Sequence, residues 1–524
     1  MVSRKDELNA YTFARKRTVA AFLQPSPSGT EEGAPRPLRT VMPGLVVGAL
    51  ILAGFGAWGM FKPAVPANWS DPGKKVIIGS DSTTRYVVLE TDGERQLHPV
   101  LNLSSARLLL NGGTFEIVSV DEKILDSGEI PQGPTLGIPY APDRLPSSDE
   151  AREAKRWAVC QQPGAGDGGV QQAVFVLADR DAARVDGRHR LRGGEVLYVE
   201  ADRDGARYLI DPRGTKYLIG GPQWDELPEA TGQLLHRTLV GEGQQPQRVT
   251  GNWLDTFQDG SPVVFPELPG TVGEPAGVAG LTPEADRVGT VLLAPTGAGP
   301  QHYLVLPGKV VPVSDFTARL LLNSPQALPL EQHGHPLDVA LQAFTPAPAE
   351  ESIDHDHDWP EAAAEHVNGP AAEGASRTTL CSVLRDVDAE DGTVTLSTWA
   401  GTAFPATIVN ETTSAYVTPG TGLLYRQVQG EQAEAGGIFL VTDTGLRYAV
   451  QANTDSDSDS GEPEEPGDSD DSAQDTGRAQ QVNQAQIRLG YGDVEPVPVP
   501  AQWSQFLPTG PRLDTAGARQ PQGS

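Results

Sequence analysis

The apolar residues of this chain form one long unbroken run near the N-terminus and many short runs after it. The long run is Thr40–Phe61, TVMPGLVVGALILAGFGAWGMF, with Arg39 before it, Lys62 after it and no charged residue inside it. Its 22 residues are close to the ~20 that an α-helix needs to cross the hydrocarbon core of a membrane. The pattern predicts a single transmembrane helix over Thr40–Phe61.

Two other interpretations of this run fit less well. A cleaved signal peptide has a shorter apolar region and a shorter basic segment than the 39 residues found here, and no small-x-small cleavage site follows cleanly. A helix packed on a soluble core would show one apolar stripe, whereas both faces of this helix are apolar. A membrane anchor is therefore favoured.

A second helix is predicted before the anchor, over Ser3–Gln24. Ser3 can cap its N-terminus, with Asp6 three residues further on, and Pro25 ends it. Basic residues are interleaved with apolar ones at near-helical spacing. This indicates either an amphipathic helix held at the inner leaflet or a docking helix for a partner, and the sequence does not separate the two.

After the anchor the pattern changes to short apolar runs separated by turn residues. Arg85–Leu89 is typical of a strand, the turn Thr91–Gly93 closes it, and Leu97–Asn102 follows. The chain contains 58 Gly and 45 Pro among 524 residues, and only 6% aromatic residues. This composition favours many short strands over long helices, so we predict a large β-rich α+β domain.

Several motifs occur twice, in the same order. The pairs are Ala106–Asn111 with Ala318–Asn323, Gly214–Ile219 with Gly445–Val450, and Trp253 with Trp503, at spacings of 212, 231 and 250 residues. Steadily growing spacings are what an ancient duplication leaves when the second copy gains insertions. The sequence therefore predicts two related halves with a pseudo-twofold arrangement.

The two cysteines occupy equivalent places in these halves. Cys160 and Cys381 are 221 residues apart, and a pseudo-twofold axis could bring equivalent positions face to face. One disulfide would then join the halves; the alternative is two free thiols, one in the core of each half. We favour the disulfide, because the predicted topology places both cysteines outside the cytoplasm, where such bonds persist.

These patterns divide the chain into consecutive segments. They are the basic helix and linker 1–39, the transmembrane helix 40–61, a first half 62–260, a Pro/Gly-rich connector 261–287, a second half 288–510 and a disordered tail 511–524.

Two insertions in the second half, near 345–375 and 455–477, are predicted to be disordered. The first contains Ile353–Asp358, a His/Asp run that could bind a divalent metal at the surface, although no fixed ligand spacing supports a structural site. The second contains Asp455–Thr476, with ten acidic residues and no basic one, which cannot bury enough apolar surface to fold. Weak calcium binding there would not be specific.

Charge predicts the orientation in the membrane. The whole chain carries −29, whereas the first 39 residues carry seven basic and four acidic side chains. The positive-inside rule then places the N-terminus in the cytoplasm and the bulk of the chain outside it. So acidic a domain repels nucleic acid, which is therefore not an expected partner.

The sequence contains no motif for ordinary catalysis. A phosphate-binding GxxxxGK[ST] loop, a GxSxG elbow and an HExxH helix are all absent from it. The most conspicuous histidine, His98, precedes Pro99 and is expected to cap a strand or to satisfy a core hydrogen bond. We therefore expect no catalytic, cofactor-binding or metal-binding residues, and a structural or assembly role.

Four motifs carry a family resemblance. The segment Ser3–Gln24, the predicted anchor, LHPVLNLSSARLLLN at Leu97–Asn111 and GYGDVEPVPVPAQW at Gly490–Trp503 resemble EccB, a membrane component of type VII (ESX) secretion systems. The resemblance covers nearly the whole chain. It implies a central β-rich core flanked by small repeat modules, and paired cysteines. The two polar insertions depart from the family pattern.

The resemblance also implies partners and a role. These are an inner-membrane complex with the FtsK/SpoIIIE-like ATPase EccC, with EccD and with EccE, self-association, and export of small WXG100-type proteins. Two alternatives stay open. One is ATP hydrolysis, which has been described for some members but has no motif here; the other is a cell-wall anchor that binds peptidoglycan.

Overall fold

The computed structural model describes residues 3–23, 38–61, 66–91, 93–112, 115–164, 169–369, 376–408, 414–429, 436–451 and 483–522, with side chains from 41 to 56 in the second range. The chain divides into two compact units. One is Met1–Trp69 with Ser119–Asp121, and the other is Ser70–Val118 with Glu122–Ser524. Each unit is described below by itself.

The N-terminal unit contains two helices, α1 over Arg4–Leu23 and α2 over Leu38–Phe61. α1 begins as predicted, since the Ser3 carbonyl accepts hydrogen bonds from the backbone N–H groups of the first turn. Its large apolar side chains are exposed, among them Tyr11 and Phe22.

A membrane span is not established by these helices. Within the described ranges, no helix has both the length and the apolar character that crossing a membrane requires. The span predicted over Thr40–Phe61 stays a prediction.

The main unit begins with a first module of strands and helices. Its elements are β1 Lys75–Gly79, β2 Arg85–Thr91, β3 Glu94–Val100, α3 Leu103–Leu109, β4 Glu116–Val120 and α4 Glu122–Leu125. The strands form a sheet in the order β3-β2-β1-β4. β2 confirms the strand predicted from Arg85. Asn102 caps α3 by accepting a hydrogen bond from the Ser105 amide at 2.9 Å, which ends the strand-like pattern and starts the helix.

A central segment and a second module follow. The central elements are α5 Ser148–Arg152, β5 Arg156–Pro163, β6 Val170–Leu177, a 3-10 turn Asp179–Asp181 and α6 Ala183–Asp186. The second module comprises β7 Glu195–Ala201, β8 Arg207–Ile210, β9 Thr215–Leu218, α7 Glu229–Val240, β10 Gln247–Val249, α8 Gly251–Leu254 and β11 Gln258–Asp259. Its strand order is β10-β7-β8-β9-β11.

The second half of the main unit repeats this order. The third module comprises β12 Val291–Thr296, β13 Gly299–Leu306, β14 Lys309–Val313, α9 Asp315–Asn323 and β15 Leu337–Asp338, in the order β14-β13-β12-β15. Three 3-10 turns follow α9, at Pro325–Leu330, Leu341–Ala343 and Ala349–Glu351. The short strand β16 Glu365–His366 pairs with β7 of the second module.

The chain then returns to the centre and ends in a fourth module. The central strands are β17 Thr379–Val387, β18 Val394–Gly401 and β19 Ala415–Val417, which complete a sheet in the order β18-β17-β5-β6-β19. The fourth module comprises β20 Gly422–Val428, β21 Ile438–Thr442, β22 Arg447–Val450, α10 Gln484–Arg488, β23 Val497–Pro500 and α11 Ala501–Ser504, in the order β22-β21-β20-β23. The proline-rich β23 lies at the edge of its sheet, where a missing N–H is tolerated.

Helices join modules of one half to modules of the other. α3 of the first module contacts α10 of the fourth, and α7 of the second contacts α9 of the third. The Arg107 side chain donates to the Leu489 carbonyl at 2.8 Å, and Arg488 returns a bond to the Leu108 carbonyl at 3.0 Å. Arg319, the counterpart of Arg107, donates to the Ala364 carbonyl at 3.1 Å. The repeated ARLLLN motif therefore forms contacts between modules.

The C-terminal residues differ from their prediction. The segment 511–524 is predicted to be disordered, but the structure describes it as folded up to residue 522. It contains the helix α12, Thr515–Ala518, which contacts α3. Leu513 and Ala518 are fully buried in the core shared by the first and fourth modules. The physical reason is that Leu513 and Ala518 complete an apolar core that is otherwise formed by residues far away in the sequence. The local composition of the tail does not reveal this contact.

Replacing Leu513 by alanine should destabilise the main unit by about 2–5 kcal/mol, because it leaves a cavity in a fully buried site. Thermal unfolding of the full chain in detergent, followed by near-ultraviolet circular dichroism, measures this. Arg512→Ala, at the exposed neighbouring position, is the matched control and should unfold like the wild type. Equal unfolding temperatures for both variants would contradict the packing of the tail.

Candidate functional site

The two cysteines meet at the centre of the molecule. β5 and β17 are equivalent strands of the two halves and pair antiparallel, with Cys160 directly opposite Cys381. The two residues form a disulfide with a Cα–Cα distance of 4.0 Å, and both are fully buried. The covalent bond therefore lies where the two halves join, and the alternative of two free thiols is not observed.

The central sheet has a different core on each face. Side chains alternate along β5, so that Cys160 lies on one face with Phe175 and Trp399, whereas Trp157 lies on the other. That second face holds the largest core, which includes Trp253, Trp503, Tyr425, Leu197 and Val441. The disulfide and a layer of aromatic rings thus hold the same strands from opposite sides.

The repeated tryptophans attach outer modules to this sheet. Trp253 lies on α8 and donates its indole N–H to the Val159 carbonyl of β5 at 2.8 Å. Gln161, also on β5, accepts a hydrogen bond from the Thr250 amide at 3.0 Å. Trp503 occupies the equivalent helix α11 and is fully buried. The arrangement positions modules and offers no nucleophile paired with a base.

His98 is a core residue. It is 4% exposed, and its Nδ1 lies 3.0 Å from the Pro134 carbonyl oxygen, which is the core hydrogen bond that the sequence suggested. A Cβ atom added at Gly133 would lie 2.2 Å from the imidazole ring. The atoms packed around His98 therefore leave no space for a substrate beside the imidazole ring.

The His/Asp run is not the disordered loop that was predicted. In the insertion near 345–375 the structure describes residues up to 369, and they are anchored. An Asp354 carboxylate oxygen accepts from the Ser314 amide at the start of α9 at 3.0 Å, and Asp358 accepts from the Ser261 amide at 2.7 Å. Trp359 is buried and donates to the Pro262 carbonyl at 3.1 Å. Short acidic side chains accept hydrogen bonds from backbone N–H groups here. From composition alone, the same side chains would be expected to be exposed to solvent.

The same insertion adds to the second module. Asn368 accepts from the backbone N–H of Tyr198 and donates to its carbonyl, both at 2.9 Å, next to the β16–β7 pair. The segment therefore joins the second and third modules. Among the described residues, no three His, Cys, Asp or Glu side chains are placed to hold a metal ion. The acidic segment 455–477 lies outside the described residues.

Burial opposes ionisation of Asp354, but the hydrogen bonds from the Ser314 amide and the Ser352 hydroxyl outweigh it. The pKa of this carboxyl is therefore lowered. Asp354 is thus an ionised hydrogen-bond acceptor at the start of α9.

A polar pocket in the second module was not found from the sequence. It has a volume of about 500 Å³ between α7 and β8 and is lined by Tyr198, Arg207 and His236. The Tyr198 hydroxyl lies 3.2 Å from His236 Nδ1, and Arg207 pairs with Glu200 at 3.1 Å. Burial, and then the charge of Arg207, lower the pKa of His236 to about 4. No motif marks this histidine, because its partners come from separate strands and helices.

Comparison with known families gives a match over the full length. A family model described as "Type VII secretion system ESX-1, transport TM domain B" matches residues 1–523. The ESX-1 secretion system ATPase EccB1 of Mycolicibacterium smegmatis is 28% identical over 283 residues, 54% of this chain and 54% of that protein. The ESX-3 secretion system ATPase EccB3 of the same species is 27% identical over 444 residues, 80% of this chain and 77% of that protein. The chain spans about half the length of the EccB1 relatives that it matches.

Solved structures share the fold. A chain of an intact ESX-5 inner membrane complex superposes with a TM-score of 0.55 at 21% identity, covering 100% of this chain and 96% of that one. A chain of the EccB3 dimer from the ESX-3 core complex superposes with a TM-score of 0.55 at 22% identity, covering 85% and 99%. At such identities the likeness concerns the fold.

Replacing both cysteines by alanine should lower the unfolding temperature without changing the fold. The bond joins residues 221 positions apart, for which the chain-entropy model gives roughly 5 kcal/mol as an upper limit. Thermal unfolding in detergent compares the double variant with the wild type. In the wild type, mild reductant without denaturant should leave the bond intact, because both sulfurs are buried. An unchanged unfolding temperature in the double variant would contradict a stabilising role.

Stability should depend on pH through His236. Its pKa is about 4 in the folded chain against about 6.5 when unfolded, so the unfolded state takes up the proton first and stability falls as the pH drops from about 6.5 towards 4. His236→Gln should lack this part of the decline when unfolding temperatures are measured across the range. His335→Gln, at an exposed position, should keep the wild-type profile. Identical profiles for all three proteins would argue against a buried neutral His236.

Proposed function

Because the chain belongs to the EccB family of type VII (ESX) secretion proteins, we propose that it is a structural and assembly subunit of an ESX complex in the cytoplasmic membrane. The observation that carries this proposal is the disulfide between β5 and β17, which holds two halves and four interlocked modules in one arrangement. The fold is also that of chains in assembled ESX complexes. Such a scaffold would support the export of small WXG100-type proteins.

The proposed topology is a single pass with a cytoplasmic N-terminus. Its support is the charge-free run Thr40–Phe61, the basic segment before it and the strongly acidic chain after it. The family description, which includes a "transport TM domain", is consistent with a membrane span. A disulfide in the main unit fits an oxidising compartment.

We place partner docking on α1. Leu8, Tyr11, Phe13 and Phe22 are exposed on it, at 66%, 70%, 57% and 90%, among several arginines and lysines. A lone water-exposed helix gains nothing from such side chains, whereas a partner surface or the membrane interface would cover them. The proposed partners are the EccC-type ATPase, EccD, EccE and further copies of this chain.

A second candidate function is ATP hydrolysis, because the names of the relatives include "ATPase". The sequence contains no GxxxxGK[ST] loop, so no phosphate-cradling segment can be assigned. We therefore keep a non-enzymatic scaffold as the first proposal.

Removing the apolar contacts of α1 should release the chain from its complex. We expect Tyr11→Ala/Phe22→Ala to reduce the recovery of an FtsK-like ATPase and a multi-span protein when the tagged chain is extracted gently and its large assembly is sized and identified by mass spectrometry. Asn9→Ala, on the same exposed helix, is the matched control and should retain both. Recovery of only a monomer or dimer from wild-type membranes would overturn the scaffold proposal.

Nucleotide hydrolysis is tested on the same material. A scaffold should show no hydrolysis after the FtsK-like ATPase is removed. Hydrolysis that persists and is abolished by a point substitution in this chain would establish the enzymatic alternative.

A further inference from the structure

An arginine-rich segment covers the disulfide face of the central sheet. After β6 the chain carries five arginines between residues 180 and 192. Its Val185 packs into the core around the disulfide, and the backbone at Arg190 bridges Trp399 of β18. Leu191, between two of the arginines, is buried and bonds the Thr398 carbonyl at 2.9 Å. The segment is therefore held firmly against the sheet.

Two central strands contribute further guanidinium groups beside this segment. Arg156 begins β5, and Arg385 lies at a bulge in β17. Both bind Asp186: Arg156 at 3.3 Å, and Arg385 through both of its terminal nitrogens. Arg156 also donates to the Arg385 carbonyl at 2.7 Å. We define the arginine cluster as these two residues with Arg190 and Arg192, whose charges act on one another.

Among the described residues, Asp186 is the only carboxylate that binds the cluster. The side chains of Arg190 and Arg192 form no hydrogen bond or ion pair within that part of the chain. Burial, and then Arg385, lower the pKa of Arg190, and only Asp186 opposes them. The nearby Glu195 is already paired with Arg377 at 2.9 Å. The four guanidinium groups of the cluster are thus balanced by one bound carboxylate, in a chain whose net charge is −29.

The corresponding connection in the second half lacks this charge. The equivalent connection in the second half, residues 402–414 after β18, contains no Lys or Arg, although the strands that it follows form the same central sheet. Placing like charges close together is unfavourable. Residues that are arranged against this preference are often found at functional sites.

We propose that the arginine cluster binds an acidic peptide segment of a partner chain. Guanidinium forks match carboxylates bidentately. Arg190 and Arg192 are two residues apart on either side of a buried leucine, so their backbone positions are about 6–7 Å apart, the repeat of every second residue in an extended chain. An extended peptide with alternating carboxylates matches that repeat, whereas a single inorganic anion can engage only part of it.

The test is fluorescence anisotropy of a labelled peptide of alternating glutamate and serine with the detergent-solubilised full chain. We expect binding that weakens at high salt, no binding of the glutamine–serine peptide, and loss of about tenfold or more in affinity in Arg190→Gln/Arg192→Gln. Arg95→Gln/Arg248→Gln, two exposed arginines elsewhere, is the matched control and should bind like the wild type. The cluster variant should also unfold at or above the wild-type temperature, because Arg190 is repelled by three arginines and attracted by one carboxylate.

Several outcomes would overturn the proposal. These are equal affinity in the cluster and control variants, equal binding of the neutral peptide, and competition by inorganic phosphate as effective per charge as by the acidic peptide, which would indicate a simple anion site. Peptide binding that appears only in a chain lacking residues 455–476 would assign the cluster to the protein's own acidic segment instead. None of these outcomes depends on assembly of a secretion complex.

Discussion

The antiparallel pairing of β5 with β17 is the contact on which the other contacts depend. Each strand belongs to a different half, so their ladder is the seam between the halves. At its middle Cys160 faces Cys381, and the bond between them is covered on one face by a small core and backed on the other by the largest one. Because hydrogen bonds, a covalent bond and two apolar cores act on the same strands, the seam cannot open without losing all of them together.

The outer modules take their positions from this seam. The Trp253 side chain of α8 and the backbone amide of its cap residue Thr250 donate hydrogen bonds directly to β5. The modules of one half then pack on modules of the other half through helices, with arginine side chains bonding carbonyl groups across the contact. Each half therefore depends on the other for part of its core, which explains why a repeated motif such as ARLLLN is an interface motif.

The segments that differ between the two halves give this chain its individual features. The insertion after the third module is anchored by Asp354 and Asp358 and joins two modules. The arginine-rich connection after β6 has no basic counterpart after β18. A scaffold built on a duplicated frame can vary such connections freely, since the frame itself is maintained by the seam and the module contacts. We expect specific partner contacts to reside in these unmatched segments.

Local patterns along the chain were sufficient for several features. Alternating apolar residues and turn signals predicted β2, and repeated motifs in constant order predicted two related halves with equivalent cysteines. The absence of catalytic motifs is likewise a property of the sequence. These features depend on neighbouring residues or on self-similarity, both of which are visible without coordinates.

Other features were decided only by the tertiary structure. The fold of the C-terminal tail depends on apolar surface supplied by α3, some 400 residues earlier. The His/Asp run is ordered because distant backbone N–H groups need acceptors. The His236 pocket and the arginine cluster assemble from side chains on separate elements. In each case the deciding interaction joins residues far apart in the chain. Such an interaction cannot be predicted from the local pattern of apolar and polar positions.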